Sequence, residues 1–157
     1  MHLLKPFNTA LATLVLLTIA CSPSGPVTPD DAFVRMKRAM TESNADEVIA
    51  LLSSGSLKKI ETITRSFAAM DSRQIGALSR SLGVSAEQLK RMTPRSYIAL
   101  QFNIGKSQGK DLFRDMMHYK PVGTDLNGNE ATIRLENGIS LNLVREGPYW
   151  KFDLERL

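Results

Sequence analysis

Apolar residues change their spacing along this chain near Tyr119: before it they recur every three or four positions, and after it they alternate. Phe33, Met36 and Met40 mark one face of a first helix. Its start is written in Thr28-Pro29-Asp30-Asp31, with a capping hydroxyl, proline at the first helical position and acids in the first turn. A second helical stretch covers Asp46 to Leu52 and should end in Ser53-Ser54-Gly55. Leu57, Ile60, Ile63, Phe67 and Met70 predict a strongly amphipathic helix over 56–70. Ile75, Leu78 and Leu82 predict another, stopped by Gly83. Ser85 and Gln88 form a capping box, with Val84 and Leu89 at the staple positions. Thr93-Pro94 opens a helix carrying Tyr97, Ile98, Leu100 and Phe102, which should break near Gly105. Leu112, Phe113, Met116 and Met117 close the helical half.

The alternating part sets its own register. Ala131, Ile133 and Leu135 form one apolar row, Ile139, Leu141 and Leu143 a second, and Trp150, Phe152 and Leu154 a third. A two-residue Asn137-Gly138 loop would set each apolar row against polar residues, and a one-residue slip turns every side chain over. A three-residue loop, Glu136-Asn137-Gly138, instead pairs Ile133 with Leu141 and Ala131 with Leu143. This predicts a type I turn with Gly138 left-handed at a bulge. The next loop must be even, Glu146-Gly147 or Arg145 to Pro148, which sets Leu143 opposite Trp150. A strand around Lys120 to Leu126, joined through Asn127-Gly128, completes a four-stranded meander.

The expected fold class is therefore α+β: N-terminal helices (29–118) packed on a C-terminal four-stranded, curved antiparallel sheet (119–157), forming a single domain over 29–157. At 157 residues two separate cores would be cramped, and no linker or internal repeat divides the chain. A 43% hydrophobic and 23% charged composition argues against disorder. Twenty basic against 16 acidic residues is too mild a balance to name a partner.

The first twenty residues differ from the rest. Lys5 is their only charge, and the apolar run Ala10 to Ala20 is about half of the roughly 20 residues a membrane span needs. A positive start, a short apolar middle and a small last residue describe an export signal. The end of the run, Leu17-Thr18-Ile19-Ala20-Cys21, resembles the lipobox of bacterial lipoproteins. That resemblance implies a signal peptide over 1–20, a lipid on Cys21, and a Gram-negative envelope location. Ser22 after the cysteine implies sorting to the outer membrane, facing the periplasm. Several acyl chains are needed because one binds a membrane only marginally. Residues 21–28 then read as a lipidated Pro/Ser/Gly tether. Cys21 is the only cysteine, which excludes an internal disulfide or a cysteine zinc cluster.

A second resemblance rests on Pro29 to Ala32, Ala45 to Ser53 and Gly147 to Lys151 (GPYWK). Together they are similar to segments of lipoproteins in the nuclear-transport-factor-two-like, or cystatin-like, superfamily. It implies a curved sheet around helices with a cone-shaped pocket, a setting used by enzymes, binding modules and adaptors alike. The helical stretch between Ser56 and Met117 is longer than that pattern.

Candidate chemistry is sparse. Gly105-Lys106-Ser107 follows a helix and lacks the first glycine of a phosphate loop, Leu100 standing there. His118 is the only histidine beyond the leader and suits a helix C-terminus. Met36, Met40, Met116 and Met117 read as core packing. Lys106, Lys110 and Arg114 recur every four residues as a basic stripe, solvated or facing anionic lipid. Tyr97, Tyr119 and Trp150 are candidates to line an apolar pocket. Asp153 and Lys151 fall on the face opposite Trp150 and Phe152, so no carboxylate points inward.

The resulting expectation is a lipid-anchored, non-enzymatic accessory domain for a small apolar ligand or an envelope protein partner. No cofactor, metal or nucleic acid is expected. An isomerase- or cyclase-like enzyme using a cone pocket is the alternative.

Overall fold

The computed structural model of the chain describes residues 25–108, 115 and 117–156. The leader, Cys21, Lys110, Leu112, Phe113, Arg114 and Met116 lie outside these. Six helices come first: α1 (Pro29–Glu42), α2 (Ala45–Leu51), α3 (Ser54–Ala69), α4 (Ser72–Leu82), α5 (Ala86–Lys90) and α6 (Pro94–Gln108). Four strands follow, β1 (Pro121–Asn127), β2 (Glu130–Leu135), β3 (Ser140–Glu146) and β4 (Tyr149–Phe152), and then a 3-10 turn at Leu154–Arg156. The sheet is an antiparallel meander in the order β1-β2-β3-β4, with the helices packed against it.

The capping chemistry is where the sequence put it. Thr28 accepts from the Asp31 N–H at 3.1 Å, and the Ser85–Gln88 box is closed from both sides. Gly83 ends α4 in the left-handed region at φ +67°. One expected break is present in another form, and one is absent. Helix α2 does stop before Ser53, but Ser53 is already the N-cap of α3 and Gly55 lies inside the first turn of α3. Helix α6 continues through Gly105 to Gln108, because a single glycine costs a helix only about 1 kcal/mol and flanking turns carry it.

In the sheet, Ile133 pairs with Leu141 and Ala131 with Leu143. Gly138, at φ +84°, donates to the Leu135 carbonyl at 2.9 Å, as the three-residue loop requires. The next loop is also even, but it is Gly147-Pro148. Leu143 therefore faces Phe152, and Arg145 faces Trp150. Gly147 supplies the positive φ (+59°) at the first loop position, and proline fixes the second. Leu154 lies in the 3-10 turn instead of extending β4, and Ile139 stands just outside β3, 36% exposed.

One buried cluster joins α1, α2, α3 and α6 to β2, β3 and β4. A satellite cluster of Phe67, Ile75 and Leu89 holds α4 and α5 onto α3. The two sheet edges differ. Beyond β4, the Trp150 N–H donates to Pro26 and the Ser53 N–H to Phe152, each at 2.9 Å. Gly25 lies so close to the Tyr149 ring that a Cβ would come within 2.5 Å, so only glycine fits. Gly25 and Pro26, placed by composition in the tether, are thus packed on the sheet. Beyond β1 no described strand pairs; its Val122 and Leu126 are 63% and 65% exposed. A bulge at Val122 breaks that edge's regularity, and Thr124 ties it to Asp30 of α1 at 2.8 Å.

Candidate functional site

A cavity of about 440 Å³ lies between α3 and α6. Helix α3 presents Ser56, Lys59, Ile60 and Ile63, at the spacing that shares one helix face. The facing side of α6 presents Tyr97, Ile98, Gln101, Phe102, Ile104 and Gly105. Met40, Val48, Leu52 and Leu154 complete the wall. The volume falls within the roughly 300–1,000 Å³ of small-molecule sites, and the wall is mainly aliphatic, as such sites are.

The polar groups on the wall are few. The Ser56 hydroxyl is fully committed: it donates to the Phe152 carbonyl at 3.2 Å, accepts from the Leu154 N–H at 2.8 Å and lies 2.8 Å from the Ser53 hydroxyl. Lys59 is the only charged side chain on the wall among the described residues. Its Nζ reaches the Leu154 carbonyl at 3.4 Å, and no ion-pair partner lies within reach among the described residues. Among the described residues no carboxylate or imidazole lines the cavity. Among the described residues no group of His, Cys, Asp and Glu could hold a metal ion, and no helix is long and apolar enough to cross a membrane.

A second depression, about 510 Å³, runs along α5 and α6 past Glu87, Arg91, Arg95 and Leu100. It is larger but shallower and more polar, and its charges are already paired. Arg91 meets Glu87 at 2.8 Å, and Arg95 grips Asp46 with two bonds of 2.6 and 3.0 Å. The Arg95 hydrogen bond, aided by its charge, holds the Asp46 carboxyl below the ordinary carboxylate range. A depressed folded value contributes stability above the unfolded value, and that contribution is lost as pH falls through the folded one. The expected result is an Asp46 carboxyl titration, followed by NMR, that midpoints below an ordinary aspartate and returns to normal in Arg95→Gln. High salt should shrink the difference, because the pair is exposed.

The three aromatic candidates are not brought together. Tyr97 lies on the cavity wall, with its ring 6.4 Å from that of Phe67. Trp150 is buried in the core at 5% exposure, Tyr119 is 40% exposed, and neither is on the wall. Lys151 and Asp153 lie off the buried Trp150–Phe152 face; Lys151 donates to the Ala50 carbonyl. Lys106 is exposed in the last turn of α6, and its stripe partners Lys110 and Arg114 lie outside the described residues, as does Cys21. Sequence reasoning missed Lys59, Ile63 and Ile98. The available signal was Gly105, buried at a facing position with no side chain to fill the gap.

No protein-family profile, no curated protein and no solved structure matches this chain.

Proposed function

We propose that the protein is anchored in a Gram-negative envelope by lipid on Cys21, and that its α+β part binds a small apolar ligand between α3 and α6. The observation that carries the ligand reading is the aliphatic cavity of about 440 Å³. Native mass spectrometry of the full chain with decan-1-ol tests it: one bound equivalent supports the reading, and no binding overturns it. The anchor rests on the Leu17-Thr18-Ile19-Ala20-Cys21 sequence. Cys21→Ser should move the protein out of the membrane fraction, and a variant that stays with the membranes would falsify lipidation.

A second reading, docking of an envelope protein along β1, draws on the exposure of Val122 and Leu126 at an edge with no described neighbour. The enzyme alternative needs a base beside the ligand, and the described residues of the cavity wall include no carboxylate or histidine. The order of helices followed by a meander agrees coarsely with the nuclear-transport-factor-two-like resemblance. Here, however, the cavity is bounded by helices, Leu52 and Leu154 rather than by strands of the sheet.

A further inference from the structure

We infer that the cavity takes a single-chain amphiphile with an anionic head, its tail between α3 and α6 and its head at Lys59. This rests on the ligand reading above and adds the ligand's chemical class. The Ser56 hydroxyl already has its bonds, so apart from the phenol of half-buried Tyr97 the deep wall offers a ligand only apolar contact. The exposed polar side chains are Lys59 on α3 and Gln101 on α6, and both are donors at the rim. A ligand that satisfies both regions has an apolar tail and one polar end. A volume in the lower half of the usual range suits one tail better than two.

The sign of the head follows from Lys59. Its ammonium has a carbonyl at 3.4 Å and no carboxylate within ion-pair reach among the described residues. Two acids lie near the start of α3, and neither is within ion-pair distance of Lys59. Glu146 accepts from the Ser54 N–H and hydroxyl, each at 2.8 Å, and the Glu155 carboxylate packs against Gly55, one turn before Lys59. A cationic head would be repelled, a neutral one could accept a hydrogen bond from the ammonium but form no ion pair, and an anionic one gains both. The lysine stem can follow the apolar rim while its tip stays wet.

The test is calorimetric titration of the unacylated full chain at pH 7.5 with decanoate, decyl phosphate and decan-1-ol. The shared chemistry is an anionic head on an unbranched tail, and the first two probes separate a carboxylate from a phosphate source. The expected result is at least one anion binding about fivefold more tightly than the alcohol, as for a partly exposed charge pair. Lys59→Met should erase that preference and leave decan-1-ol unchanged. Gln101→Trp, at an exposed helix position, should block all three. Equal binding of anions and alcohol, or a preference that survives Lys59→Met, overturns the head-group assignment while the cavity reading stands. Binding that persists in Gln101→Trp, or absence of binding in the wild type, overturns both. Both substituted side chains are exposed, so unchanged thermal midpoints are expected alongside.

Discussion

Phe152→Ala should lower the stability of the folded protein by about 3–5 kcal/mol, the upper range for a single truncation in a core. Phe152 is 1% exposed, lies opposite Leu143, and bridges to Leu52 at the helical side of the sheet. Removing its ring leaves a void at the junction of α1, α2 and β4, where three elements would have to move together to fill it. The backbone links survive the change, because Ser53 and Ser56 bond to the Phe152 carbonyl rather than to its side chain. The loss is thus one of packing, set against a total of about 5–15 kcal/mol for an ordinary domain. Urea unfolding followed by far-UV circular dichroism reads it as a fall in midpoint with an unchanged slope. A loss below about 1 kcal/mol would mean that the ring is not packed at this junction.

The second large effect is polar. Ser56 is wholly buried, and its hydroxyl joins the first turn of α3 to the carbonyl of Phe152, the amide of Leu154 and the hydroxyl of Ser53. Ser56→Ala strips the Leu154 amide of its acceptor without changing the packing much. A buried donor left without a partner costs about 1–3 kcal/mol, and the part-buried Leu154 amide should fall near the lower end. The damage should be local as well as global. Amide exchange at Leu154 should accelerate well beyond what the change in global stability explains, whereas Ile133 should track global stability alone. Unchanged protection at Leu154 relative to Ile133 would show that the hydroxyl is not its partner.

Much of the scaffold was legible because the controlling signals are local. The Thr28-Pro29 start, the Ser85–Gln88 box and the alternation through Ala131, Ile133 and Leu135 each act over a few residues. Parity alone chose the three-residue loop at Gly138 and required an even loop before β4. Parity could not choose among even loops, so the Leu143 pairing was misplaced by two residues. Gly105 misled for the opposite reason, since a local helix penalty was outweighed by the contacts of α6 with α2 and α3. The candidate site was hardly legible at all. Ile60, Ile63, Ile98 and Phe102 carry the same spacing as ordinary core residues. Whether two apolar faces close on each other or stand apart depends on the positions of α1, α2 and Leu154, which no short window contains.

The bond from the Trp150 N–H to the Pro26 carbonyl would limit the reach of any tether from Cys21. Pro26 is five positions on from Cys21, and five fully extended steps reach no more than about 18 Å. For a chain acylated at Cys21, the folded part would hang from the β4 margin of the sheet and swivel about that point. The Leu52 wall of the cavity pairs with Phe152, two residues along the same strand and about 7 Å from the point of suspension. The β1 margin, with its exposed Val122 and Leu126, lies three strand spacings away, about 14 Å across the sheet. Such a mooring would hold the cavity close to the lipid surface and leave the β1 margin to whatever approaches from the aqueous side.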